Sequence, residues 1–186
     1  MRHRARDPIW RLALEALGIV RKVHRQHLGS LRLVEIDEAT ELAGPLFKQA
    51  FRAEIPRFHR HFVLFRDIQD GHAVIGYVHY TKSEDAYLAG GLVVSAMEFR
   101  KLDATTADLV RREGGFAEWV VRTTCDWLDD VDAVFAYMGD TKSIRVNSRV
   151  GFVFTGRRHL YVLWKRTPPP DEQKRLVDRI AAIGPF

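Results

Sequence analysis

Two short segments near the middle of this 186-residue chain place chemically useful residue types at telling spacings. The first is Arg112-Glu113-Gly114-Gly115-Phe116-Ala117, at the mouth of a helical stretch. The second runs from Asp140 to Phe152 and includes Ser143, Arg145, Val146, Asn147 and the step Gly151-Phe152. A glycine-rich turn that opens a helix aims several free backbone N–H groups at one point, where the helix dipole adds partial positive charge. That arrangement holds a diphosphate.

Arg112, Gly115 and Ala117 fill the three fixed places of the pattern Gln/Arg-x-x-Gly-x-Gly/Ala. Ser143, Arg145, Val146, Gly151 and Phe152 match Asn-x-x-Ser-x-Arg-Val followed by Gly-Phe, with Asp140 standing where the pattern has Asn. In these segments the chain resembles the GNAT-type N-acetyltransferases, and most closely the branch that acetylates ribosomal-protein termini. The resemblance covers about Leu31 to Lys165 in element order, and these segments alone in motif detail. It implies an α/β three-layer sandwich: a mixed central sheet of six to seven strands with helices on both faces, and acetyl-coenzyme A wedged between the fourth and fifth strands. It also implies direct transfer of an acetyl group to a primary amine, whether of a protein terminus, a lysine or a small metabolite. The cofactor-binding residues carried over are Val93, Val94 and Ser95, the loop Arg112, Glu113, Gly114, Gly115, Phe116 and Ala117, and then Asp140 and Ser143.

The segment from Val94 to Arg112 is longer than the family's usual connection, and Asp103 to Val110 reads as an inserted helical turn. A rival loop, Glu98-Phe99-Arg100-Lys101-Leu102, lies nearer the strand but has no glycine. Without glycine the backbone cannot approach phosphate oxygens as closely, so the later loop is preferred.

Amide formation from a thioester needs a proton acceptor for the amine, a donor to the developing oxyanion and a proton for the departing sulfur. The family takes the oxyanion donor from a backbone N–H where the fourth strand bulges, and Gly90-Gly91 before Leu92-Val93-Val94 can form that bulge. Its usual strand carboxylate is missing from Ala86 to Ser95. His79, which titrates near neutrality, and Glu54, near Pro56, are the two candidate acceptors; each can equally be structural. The family's acid, a tyrosine four residues before the Gly-Phe step, is Asn147 here. Ser143 remains as a catalytic candidate that can hydrogen-bond the pantetheine arm or the sulfur. Tyr137 and Tyr161 read as strand-packing residues.

The elements that must position these groups are readable in outline. Asp7-Pro8 starts an N-terminal amphipathic helix over residues 1–29, closed by Gly29. Leu31 to Ile36 reads as a strand, followed by a helix that starts near Asp37 or Pro45 and ends before Pro56. Phe62 to Arg66, Ala73 to Thr81 and Ala86 to Ser95 form an antiparallel meander, with Gln69-Asp70-Gly71 as a hairpin signal. A helix through Phe116, Val120 and Trp127, a strand over Ala133 to Met138 and a last strand ending at Trp164-Lys165 complete a domain over 30–167. Pro168-Pro169-Pro170 then makes a stiff spacer before a helix in the 168–186 segment.

Bulk properties fit one domain, with 46% hydrophobic residues available for a core. The single cysteine, Cys125, excludes an internal disulfide and suits a reducing compartment; the cytoplasm is the expected location. His59-Arg60-His61 has no further ligand at a zinc spacing, so no metal is expected. No membrane partner is expected, and the chain is read as a monomer or homodimer. Net charge +5 suits an anionic partner, coenzyme A among them. A second reading remains: a non-catalytic module of this fold that binds nucleic acid or an acidic protein through the basic stretch Arg2 to Arg25.

Overall fold

The computed structural model describes residues 24–57 and 60–186. Most of the helix expected over 1–29 lies outside them. Its last residues are not helical: β1 (Arg25–Leu28) pairs antiparallel with β2 (Leu31–Ile36), and Gly29, at φ +60°, turns between them. A row of hydrogen bonds to β2 outweighs the weak helical periodicity of this stretch.

Helix α1 (Thr40–Phe51) buries Ala39, Ala43 and Phe47 at successive turns, and it accommodates Pro45. It stops at Arg52, which takes the left-handed conformation (φ 55°) and donates its N–H to the Lys48 carbonyl, ahead of Pro56. β3 (Arg60–Ile68) and β4 (Gly71–Ser83) form the expected hairpin through Gln69-Asp70. β5 (Ala86–Ala89) and β6 (Val93–Val94) follow, both paired with β4.

The inserted segment forms a single turn, α2 (Ala96–Phe99), and helix α3 (Ala104–Arg112), capped by the Asp103 carboxylate on the Thr106 N–H at 2.8 Å. Next come α4 (Phe116–Trp127), β7 (Ala133–Tyr137), α5 (Thr141–Val150), β8 (Val153–Phe154), β9 (Leu160–Trp164) and α6 (Pro170–Ile183).

The strands make one mixed sheet in the order β1-β2-β3-β4-β5-β7-β9-β8, with β6 continuing along β4 past the end of β5. Among the described residues, only β5 and β7 are parallel. The count of nine strands among the described residues exceeds the six to seven expected, for two reasons. β1 adds an edge, and the fourth strand breaks in two at Gly90-Gly91-Leu92.

Strand alternation builds three layers. One face carries Leu33, Phe62, Leu64, Val78 and Tyr80 against Val110 of α3 and Trp119, Val120 and Val121 of α4. The opposite face is covered by α1 over Ile36, Val63 and Tyr77, and by α6 over Leu88, Phe135 and Leu160. Each large apolar side chain so buried is worth about 1.5–3 kcal/mol. No helix among the described residues is long and apolar enough to cross a membrane.

Charge pairing closes one end of the α4 face. Glu35 on β2 accepts from Arg60 Nε at 2.6 Å and Nη2 at 2.8 Å, and pairs with His24 Nδ1 at 2.7 Å. The Arg60 guanidinium lies over the rings of Phe62 and Tyr87. Burial pushes the Glu35 carboxyl upward, but the hydrogen bonds from Arg60 and His24 outweigh it and hold it below its ordinary value. A carboxylate with a depressed folded-state pKa contributes stability above its unfolded value and loses it as pH falls through the folded value. Glu35→Gln should therefore cost about 2 kcal/mol at pH 7 in urea denaturation. The gap to the native chain should narrow as pH falls below about 4.3. A gap independent of pH would show that the ion pair contributes nothing.

Candidate active site

The parallel pairing of β5 with β7 runs from Ala86↔Ala133 to Ala89↔Ala136 and stops there. Beyond that row each strand follows a different neighbour. Gly90 donates its N–H to the His79 carbonyl at 2.9 Å, whereas Met138 donates to the His159 carbonyl at 2.8 Å. The sheet opens into a V, and a cleft of about 380 Å³ lies in it.

A bulge accompanies the opening. Ala89 is opposite Tyr80 and Val93 is opposite Tyr77, so three residues on one side face two on the other. The N–H groups of Gly91 and Leu92 meet no acceptor among the described residues. Both residues line the cleft, as the expected glycine bulge requires. Neither glycine can be larger: a Cβ at Gly91 would fall 2.8 Å from the Phe51 ring, and one at Gly90 would collide with His79 Nε2.

The first wall is α4. Ala117 and Val121 line the cleft, two and six residues beyond Gly115. Gly114 (φ +84°) and Gly115 (φ +104°) occupy conformations that favour glycine. A Cβ at Gly115 would meet nothing within 4 Å, so the space before the helix start is open. The N–H groups of Phe116 and Ala117 have no acceptor among the described residues, and Arg112 has no ion pair among them. Phe116 is buried and meets Phe99 edge-on, which fixes the loop from behind. Glu113 pairs with Arg122 at 3.2 Å.

Sequence reasoning missed Glu118. This buried carboxylate folds back against Gly114, pairs with Arg122 at 2.5 Å and draws Arg149 of α5 to 3.6 Å. An acid three residues after a helix N-cap is the one available signal for it.

The second wall is the start of α5. Asp140 caps that helix, accepting from the Lys142 and Ser143 N–H groups at 2.9 and 3.0 Å. Those bonds hold its carboxyl below its ordinary value. The carboxylate that replaces Asn is thus engaged by its own helix, while still bordering the cleft. Ser143 also lines the cleft and donates its hydroxyl to the Asp140 carbonyl at 2.9 Å. Asn147 lines it too, with its amide nitrogen donating to the Ser143 carbonyl.

Other expected residues are placed less evenly. Val94 lines the cleft, whereas Val93 packs toward α1 and the Ser95 N–H is taken by the Ile75 carbonyl at 2.7 Å. His79 is buried beside the bulge, within the ring cluster of Phe47 and Tyr77. Glu54 is exposed, paired with Lys48, and does not border the cleft. The α1 end that was to carry it presents Phe51 there instead, because the chain reverses at Arg52. The rival loop is turned away: Glu98 pairs with Arg66 of β3 and with Lys101, both at 2.6 Å. Cys125, below the cleft floor, is buried against Tyr80, and burial pushes its thiol up to about 12.

No protein-family model matches the chain, and no curated protein matches its sequence. Solved structures are similar in fold. One is a GNAT-family acetyltransferase from Bacillus anthracis, at 14% identity and TM-score 0.47, covering 76% of this chain and 98% of that one. Another is the ribosomal-protein-S18-alanine N-acetyltransferase from Escherichia coli, at 13% identity and TM-score 0.41, covering 67% and 80%. A third is a GNAT-family acetyltransferase from Staphylococcus aureus, at 13% identity and TM-score 0.41, covering 71% and 97%. The reading of the site rests on the geometry above.

The contact between His79 and Gly90 is testable by a double-mutant cycle. Gly90→Ala should cost about 1–3 kcal/mol in chemical denaturation, since the methyl group must displace the imidazole. In a His79→Ala background the same change should cost well under half of that. Equal costs in both backgrounds would refute the contact.

Proposed function

We propose that this chain is an acetyl-coenzyme A-dependent N-acetyltransferase that transfers acetyl directly to a primary amine. The observation that carries the reading is the pairing of two features on one cleft: a glycine bulge where β5 and β7 part, and a two-glycine helix start leading to Ala117 on the opposite wall. The loop fits a diphosphate on its own terms, because the ground before it is open and its first helical N–H groups have no acceptor among the described residues.

Bound acetyl-coenzyme A supplies the activated acyl group. Everything else falls to the chain. Phe116 and Ala117 present backbone N–H groups to the diphosphate, Gly114 and Gly115 leave the backbone open to its close approach, and Arg112 adds charge. Glu113 holds Arg122 nearby. Val93, Val94 and Ser95 offer a strand edge to the pantetheine arm, with Ser143 on the facing helix. The N–H of Gly91 or Leu92 stabilises the oxygen that becomes negative. His79 takes the amine proton; it is preferred over Glu54, whose carboxylate is exposed and tied to Lys48. Asp140 holds the α5 start in place.

Calorimetric titration tests this directly. Acetyl-coenzyme A should bind saturably to the full chain. Gly115→Val should weaken binding at least tenfold, about 1.4 kcal/mol, while Arg100→Ala should matter less. Circular dichroism must verify folding, since φ +104° strains any side chain at position 115. No binding by the native chain would end the reading. The reverse ranking, in folded variants, would move the diphosphate to Glu98–Leu102.

A further inference from the structure

The site as read so far lacks a proton for the departing sulfur, because Asn147 stands where the acid was expected. We infer that Tyr137, the last residue of β7, supplies it: the residue lines the cleft, and its side chain is on the sheet face that carries His79. The inference rests on the acetyl-coenzyme A reading above.

Strand register places the two residues. Tyr137 is opposite Leu160, which is buried under α6 with Phe135, so all three share one face. His79 is on that face too, packed against Phe47 of α1. Ala89↔Ala136 is the last paired row between β5 and β7, so the next row holds His79, Gly90 and Tyr137. Its middle member has no side chain. The Cα atoms of His79 and Tyr137 are therefore two strand spacings apart, about 10 Å or more with the splay, across a notch floored by Gly90. His79 Nε2 stands over Gly90 from one side, where a Cβ would otherwise be. Tyr137 borders the cleft from the other side, half-buried, with Phe186 edge-on to its ring at 5.1 Å. That contact limits the directions the ring can take.

A base and a phenol on opposite sides of one notch divide the proton transfers between them. As the amine nitrogen bonds to the acyl carbon, the carbon–sulfur bond breaks with its electron pair on sulfur. His79 Nε2 accepts the proton from nitrogen. Tyr137 gives its hydroxyl proton to sulfur and regains one from water. A phenol suits this step, because its ordinary pKa of about 10 lies close to that of a thiol.

Binding tests this without an acceptor amine. Coenzyme A and desulfo-coenzyme A differ only at the sulfur that Tyr137 would touch. The native full chain should bind coenzyme A roughly fivefold more tightly than the desulfo compound, the size expected of one hydrogen bond. Tyr137→Phe, which keeps the ring against Phe186, should bind both equally, with the native affinity for desulfo-coenzyme A. Tyr137→Leu also lacks the hydroxyl and should lose the preference in the same way, should the first variant not fold. A variant that retains the native ratio would overturn the role of Tyr137 and leave the cofactor reading standing. A native chain that binds neither compound would overturn both.

Discussion

The whole site depends on where one pair of strands stops hydrogen bonding. β5 and β7 run parallel for four residues each and then obey different neighbours: β5 is drawn along β4 by the Gly90 N–H, and β7 along β9 by the Met138 N–H. An opened sheet would ordinarily leave unpaired backbone groups in an apolar interior, which is costly. Here the bulge leaves the N–H groups of Gly91 and Leu92 without an acceptor among the described residues, at a cleft where a ligand can meet them. The loss of ladder hydrogen bonds and the gain of a binding site are thus one event. Two glycines in sequence make it possible, because aromatic rings from α1 and β4 crowd both positions.

The surrounding packing keeps the V from closing or spreading. Three clusters hold the sheet independently: α3 and α4 on one face, α1 and α6 side by side on the other. α1 grips the β2–β4 half and α6 grips the β5–β9 half. The divide between these two helices coincides with the divide in the sheet. α4 spans the opposite face and joins the halves, so the opening is hinged on one side and free on the other. Phe51 and Gly90 border the cleft, with His79 buried behind Gly90.

Much of this was legible in the residues. Alternation gave the meander from β3 to β5, Gln69-Asp70-Gly71 gave its hairpin, and Gly90-Gly91 marked the bulge before any coordinates. The preference for Gly114-Gly115 over Glu98–Leu102 rested on glycine and on the room left before Asp140 for a helix and a strand; Glu98 is held by Arg66 and Lys101. What escaped was whatever depended on long-range register. β1 looked helical because its partner strand is invisible to local periodicity. Glu54 and Phe51 are three residues apart, and only the left-handed turn at Arg52 decides which of them borders the cleft. Tyr137 looked like ordinary strand packing, since its importance comes from a missing side chain on a neighbouring strand. Glu118 is legible only once Gly114 is seen to leave room for it.

The inserted helix α3 has a mechanical meaning. Its Thr106 accepts from the Ser30 N–H at 3.0 Å and packs on Gly29, so the helix is anchored on the β1–β2 turn. Its other end runs straight into Arg112, and the Gly115 N–H is fastened to the Val110 carbonyl at 2.9 Å. The helix is a short lever with its fulcrum in the core at Val110. One arm carries the hairpin that continues from the basic N-terminal residues, and the other carries the glycine loop. The β1–β2 turn and the glycine loop are thereby fastened to opposite ends of one nine-residue helix.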